Sequence, residues 1–308
     1  MANLVAQIVI VVTGGAVRLT ASGLGCSSWP SCEPGHFTPT LHGATSYHPF
    51  VEFGNRTITG VLVVVSLAVA LLAGRDRRRS LSYRVLAWVP LVGVVIQAVV
   101  GGLAVLYRLP PAVVGSHMLI SMALVAASAW LWVRGREGDA PPRWLVPGAT
   151  RLLATLLCLV AVVVVGLGVV TTGAGPHSGD DTVGYRFAVD PLTMARVHAA
   201  SVWVFVAVLA LTIYRLQVGS RRAGPAPEDA GLLRAGYRVL GITLGQGAVG
   251  YVQVATHLPI ALVNLHMLGA AVFVVGVTFF VGRLRTREHP PLREVAAEAL
   301  GTPGVAAA

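Results

Sequence analysis

The sequence predicts an all-α membrane protein, with eight transmembrane helices arranged as two pseudo-symmetric four-helix bundles by a parallel internal repeat. Three observations predict this. Residues are 55% hydrophobic and only 12% charged, with a mean hydropathy of +0.73, a balance outside the range of soluble domains. Eight apolar stretches approach or reach the length of about 20 residues that a helix needs to cross a roughly 30 Å hydrocarbon core. Finally, one segment occurs twice: Gln97-Ala-Val-Val-Gly101, Leu109-Pro110 and His117-Met118-Leu119 recur without a gap as Gln246-Gly-Ala-Val-Gly250, Leu258-Pro259 and His266-Met267-Leu268, 149 residues on. Composition alone explains shared leucines and valines, but not Gln, Gly, Leu-Pro and His-Met-Leu in one register.

In chain order the apolar stretches are 3–19, 52–73, 85–106, 112–133, 152–172, 192–214, 239–256 and 261–282. Their length and lack of strict alternation specify helices rather than a barrel. The repeat divides the chain into an N-terminal half, 1–133, an Arg/Pro-rich linker, 134–151, a C-terminal half, 152–283, and a tail, 284–308. Rich in Ala, Glu, Pro and Gly, that tail is expected to be disordered and cytoplasmic. Each half has four helices, an even number, so the two copies share one orientation, unlike inverted transporter repeats. The first stretch is short, about 17 residues or roughly 25 Å of rise before Arg18. It lacks a basic leader and a cleavage site, and a start upstream of Met1 is expected.

Every basic residue is Arg. Of the 23, 18 follow the second (Arg75, Arg77, Arg78, Arg79, Arg84), fourth (Arg134, Arg136, Arg143, Arg151), sixth (Arg215, Arg221, Arg222, Arg234, Arg238) and eighth (Arg283, Arg285, Arg287, Arg293) stretches, leaving Arg18, Arg56, Arg108, Arg186 and Arg196 elsewhere. The positive-inside rule therefore puts both termini in the cytoplasm of a multi-pass protein of the cell membrane, with the lipid bilayer as its principal partner. Charge dispersed among membrane loops argues against a nucleic-acid surface, despite the net +10.

The even-numbered helices then start outside. Asn55 lies six residues beyond Pro49, while His117, His198 and His266 each lie seven beyond Pro110, Pro191 and Pro259. All four share a depth in the outer part of the bilayer. Ionisable groups in membrane helices are costly and usually face the bundle interior. A lone histidine there is most simply an interhelical hydrogen-bonding group. His198 and His266 lie on separate helices at one depth, followed a turn later by small residues (Ser201; Gly269 and Ala270), and such a pair suits bis-His haem ligation. The first half keeps His117 but has Asn55 opposite, which leaves a haem there with one strong axial ligand. Glu52 and Arg56 bracket Asn55 within about one turn, so all three can face one cavity. A structural ion pair is the simple account of Glu52 and Arg56. Beside a haem, Arg56 would instead meet a propionate, and Glu52 would be the acid–base or charge-stabilising group.

Of three cysteines, Cys158 sits within the fifth stretch as packing. Cys26 and Cys32 flank Ser-Ser-Trp29-Pro30-Ser in the first external loop. On an oxidising face a disulfide or redox pair is favoured over zinc, and a loop staple and a redox role remain equally open.

With Thr13-Gly14-Gly15-Ala-Val-Arg18-Leu-Thr-Ala-Ser-Gly23-Leu-Gly25-Cys26, Trp29-Pro30-Ser-Cys32, Glu52-x-x-Asn55-Arg56, His117, His198 and His266, the chain resembles the bacterial haem A synthase family across nearly all eight helices. The resemblance implies an oxidoreductase acting on a CH3 group, which converts a ring methyl of haem O to the formyl group of haem A through hydroxylation. It also implies haem b held by His198 and His266, and a substrate site in the N-terminal half served by His117 and Glu52. Haem O synthase (protohaem farnesyltransferase) and the haem–copper oxidase assembly machinery are the partners it implies, with an electron donor the sequence does not name; a homo-oligomer is compatible with it. Many members carry His where this chain has Asn55, and the family's cysteine pair is linked to redox handling or to stability. A dihaem transmembrane electron carrier would favour two complete bis-His sites at opposite depths, and a haem transporter or chaperone would need no Glu52.

Overall fold

The computed structural model describes residues 1–40, 46–223 and 229–288. It is built of eight helices: α1 (Ala2–Leu19), α2 (His48–Gly74), α3 (Leu81–Leu106), α4 (Pro111–Gly135), α5 (Gly148–Ala174), α6 (Pro191–Ala223), α7 (Asp229–Ala255) and α8 (Ile260–Arg283). Two short strands, β1 (Arg143–Trp144) and β2 (Arg285–Thr286), complete it. All the helices except α7 are long and apolar enough to cross a membrane. The α7 helix takes in Asp229, Arg234 and Arg238 before its apolar stretch. Many large apolar side chains point outward, including Leu72 at 80% exposure and Leu152 and Val162 at 70%. In water such a surface would be an aggregation hazard; in lipid it is the solvent-facing side.

Prolines start several of these helices, at Pro49 in the first turn of α2, Pro111 in α4 and Pro191 in α6, where the missing N–H is not needed. The α3–α4 and α7–α8 turns share one backbone solution. Arg108 and Leu109 have φ of 59° and 58°, and His257 and Leu258 have 63° and 59°. Leu109 N donates to Ala104 O at 2.7 Å and Leu258 N to Gln253 O at 2.6 Å. Left-handed conformations cost non-glycine residues about 1–2 kcal/mol each. Both turns tolerate that cost because Pro110 and Pro259 follow, and proline cannot extend the preceding helix.

Successive helices pack together from α1 to α4 and from α5 to α8; α1 and α4 also pack on α8, and α4 on α5. The main buried cluster belongs to α5–α8, around Phe205, Leu209, Leu157, Val239, Phe273 and Phe280, with the Phe205 and Phe273 rings edge-on at 4.8 Å. A smaller cluster joins the halves through Leu4, Val11, Met122, Val125, Ala129 and Ala271.

At the Arg-rich end, the structure departs from the expected linker and tail. Arg143 pairs with Thr286 and Trp144 with Arg285 in an antiparallel register. Leu284 is fully buried, Arg285 and Arg287 reach Glu137 at 3.5 and 3.9 Å, and Glu137 also pairs with the buried Arg134 at 2.9 Å. Residues 284–288 are therefore ordered, because their backbone and arginines find partners in the linker. The rest of the expected disordered tail, with Arg293, lies outside the described residues. At the opposite end the segments after α1 and after α5 interlock: Gly23 N donates to Gly179 O at 2.7 Å, and Arg18 donates to His177 O and Thr172 O at 2.9 and 3.0 Å.

Candidate functional site: histidines, an ion pair and a disulfide loop

Helical spacing stacks Glu52 and Arg56 on one face of α2. Glu52 is buried, and its Oε1 takes Arg56 Nη2 at 2.5 Å. Its Oε2 accepts the backbone N–H of Cys26 at 2.8 Å. Arg56 also donates to the carbonyl oxygens of Ser28, Pro30 and Ser31 at 3.1–3.2 Å. The sequence offered Arg56 an ion pair with Glu52 or, beside a haem, a propionate; the structure shows the ion pair, with further bonds to the 28–31 backbone. That loop is closed by a disulfide between Cys26 and Cys32, both fully buried. Gly25 is required where it stands, since a Cβ there would lie 2.5 Å from the His48 carbonyl carbon. The Trp29 ring lies against Gly102 of α3, where a Cβ would come within 2.7 Å of it.

Asn55 is half-buried and turns to α1, its Oδ1 accepting from Thr13 Oγ1 at 2.8 Å. His117 projects from α4 against Gly101, the neighbour of the glycine under Trp29. No hydrogen bond or ion pair joins His117 to Glu52, Asn55 or Arg56 among the described residues. Glu52, Asn55 and Arg56, expected on one cavity, thus form two bonded groups, Glu52–Arg56–loop and Asn55–Thr13, and His117 bonds to neither.

In the other half His198 of α6 and His266 of α8 come together, with ring centroids 6.5 Å apart and planes at 81°. An iron between two imidazole nitrogens at about 2 Å each, as for imidazole on other first-row metals, sets the ring centres roughly 6 Å apart. The Nδ1 atoms of His117, His198 and His266 are all buried without a hydrogen-bond partner. These residues fit a bis-His haem.

The sequence model of the COX15-CtaA family, described as cytochrome oxidase assembly protein, matches residues 1–279. The chain belongs to this family. It is 30% identical over 167 residues to a haem A synthase of Exiguobacterium sibiricum, covering 53% of this chain and 54% of the relative. It is 32% identical over 140 residues to that of Symbiobacterium thermophilum, covering 45% and 44%. With the haem A synthase of Geobacillus kaustophilus it shares 29% identity over 131 residues, or 41% and 39%. The chain thus spans about half the length, or less, of the curated relatives it matches.

Within this family member a supporting layer emerges that sequence reasoning passed over. Each repeat glutamine donates to the main chain of its histidine: Gln97 Nε2 to His117 O at 2.9 Å and Gln246 Nε2 to His266 O at 2.8 Å. Glycines back all three rings, since a Cβ on Gly101, Gly168 or Gly250 would sit 3.4, 3.1 or 3.3 Å from Cε1 of His117, His198 or His266. The 149-residue repeat carried the signal for Gln97, Gln246, Gly101 and Gly250, and the family motif took in Thr13; nothing in the sequence marked Gly168. Gly269 makes room for the Gln246 amide. The fifth-helix Cys158 is a free, partly buried thiol packed on the C-terminal core.

Proposed function

We propose that the protein is a haem A synthase, oxidising a ring methyl of haem O to a formyl group for terminal oxidase assembly. The observation that carries the proposal is the facing pair His198 and His266, set in a chain of this family whose relatives bear that name. On this reading these two residues hold haem b, which supplies a one-electron carrier when bound. Gln246 and the backing glycines Gly168 and Gly250 restrict where the rings can move.

The N-terminal half receives haem O as substrate, and His117 offers its imidazole to the substrate iron. Asn55 is a weaker ligand than imidazole and is engaged by Thr13, so the iron's second side stays open. The Glu52 carboxylate, fixed by Arg56 and the Cys26 amide, is placed to stabilise positive charge or to take a proton at Oε1 or Oε2. The eight helices form two four-helix bundles, all of them spanning the membrane. Both termini are cytoplasmic and the haem sites lie toward the outer face; haem O synthase supplies the substrate.

Expression with and without a supply of haem O, followed by chromatography of the extracted haems, tests the proposal. Haem A is expected only with haem O. Haem O recovered unchanged, beside bound haem b, would favour a carrier or chaperone instead.

A further inference from the structure

Buried polar side chains run along the inside of the N-terminal half. Near the chain's start, Asn3 of α1 donates from Nδ2 to Ser128 Oγ of α4 at 3.0 Å, and its Oδ1 accepts from Ser66 Oγ of α2 at 2.9 Å. One turn on, Gln7 is only 2% exposed, and its Nε2 has no hydrogen-bond partner among the described residues. At 3.6 residues per turn Gln7 points between the directions of Asn3 and Val11, and Val11 packs in the cluster with Met122 and Val125 of α4. Further along, Gln97 of α3 is 9% exposed and bonds Ser121 Oγ and His117 O through Nε2, while its Oε1 is likewise unpartnered. Ser128, Ser121 and His117 are spaced by seven and four residues, so they stack along one face of α4.

At the positions that match this column the other half is apolar, although Gln253 and Asn264 there also bury an amide oxygen without a partner among the described residues. In the register that matches Asn55 to His198, Ser66 becomes Leu209; in the 149-residue repeat, Ser128 becomes Val277 and Ser121 becomes Ala270. Leu209 and Val277 lie in the packed core with Phe205 and Phe273. Along α5 the residues buried in the span are Ala154, Leu157, Ala161 and Val164. Thr212 and Thr243, buried there, bond carbonyls of their own helices. Unpaired buried amides are costly, and ordered water is their usual partner. The opposite end of the column is covered by the disulfide loop, with Trp29 over Gly102 beside the His117 pocket.

We propose that Asn3, Ser66, Ser128, Gln7, Ser121 and Gln97 line a hydrated path that carries water and protons between the N-terminal end of α1 and His117. Its purpose rests on the reaction proposed above: with water as the oxygen source, R–CH3 + H2O gives R–CHO + 4 H⁺ + 4 e⁻, so water must enter, the protons must leave to solvent, and the electrons pass to an external electron acceptor. Its existence does not rest on that reaction.

Single-cysteine chains made on a Cys158→Ser background test it, with Cys26 and Cys32 left paired. In membrane vesicles, Gln7→Cys and Ser128→Cys should react with a small cationic methanethiosulfonate at least about tenfold faster than Leu209→Cys and Val277→Cys, because only a hydrated thiol ionises. Reaction should come from the Arg-rich face. Equal rates in the two halves overturn the path. Gln7→Leu should keep haem b and lower the haem A yield; an unchanged yield overturns its use in the reaction. A wild type that makes no haem A would defeat the functional proposal and leave the labelling result standing.

Discussion

Residues 1–133 and 152–283 surround their histidines differently. In the C-terminal half, two imidazoles face each other at 6.5 Å above an apolar core closed by Phe205, Phe273 and Phe280. The N-terminal half has His117, an asparagine tied to Thr13, an ion pair, a disulfide loop and buried amides. Permanent holding of a group favours two strong ligands in a rigid, dry setting, and turnover of a substrate favours an exchangeable position with polar groups beside it. The asymmetry is what a duplicated scaffold needs if one copy is to keep its haem and the other is to release one.

Breaking this contrast at its strongest point should give the largest effect. His198→Ala or His266→Ala is expected to abolish the low-spin haem b spectrum of the purified protein, while His117→Ala leaves it intact. Retention of haem b in both C-terminal variants would end the assignment. Next in size is Glu52→Gln, expected to retain haem b but to lower haem A formation by roughly a hundredfold, read by chromatography of extracted haems. A normal yield would reduce Glu52 to an anchor for Arg56 and the loop.

Asn55→His makes the halves more alike. With haem O bound, its spectrum should shift toward six-coordinate, low-spin iron, and activity is expected to fall as the open side closes. Identical low-spin spectra for wild type and variant would show that another group already fills that side.

The smallest effect is expected at the Arg-rich end. Partial burial works against ionisation of Asp139, but hydrogen bonds from Arg79 and Ser80, with the Arg79 charge, outweigh it and hold the carboxyl well below the usual carboxylate range. A carboxylate depressed in this way adds stability that is present above its unfolded value near 4 and is lost as pH falls below that. Asp139→Asn should lower the melting temperature by a few degrees at neutral pH, and the difference should shrink on acidification below about pH 4. A difference independent of pH would assign the loss to the Ser80 contacts rather than to charge.

Much of this molecule was legible in the chain. The apolar stretches located every helix, and Pro and Arg marked their ends. Where the bounds differed by more than one residue, the helix outran the hydrophobic signal. The α6 helix continues to Ala223 beyond the apolar stretch ending at 214, and α7 starts at Asp229 rather than 239. Hydropathy registers the part of a helix that suits lipid, whereas backbone hydrogen bonding continues through charged residues at the membrane surface. The pairing of Arg143-Trp144 with Arg285-Thr286 left no trace, because two-residue strands have no period to read.

Composition, the 149-residue repeat and the histidine positions by themselves determined the helical membrane class and singled out the residues on which the proposed chemistry rests. They also brought Cys26 and Cys32 close enough in sequence for the disulfide the structure contains. Only the tertiary structure decided that Arg56 serves the loop, that Asn55 is held by Thr13, that Gln97 and Gln246 steady the histidine backbones, and that Gln7 is buried without a partner. The physical reason is range. Burial and periodicity follow from each residue and its neighbours along one helix, but a hydrogen bond between helices depends on depth, rotation and the close approach that a glycine such as Gly102 permits, and these exist only once the helices have packed.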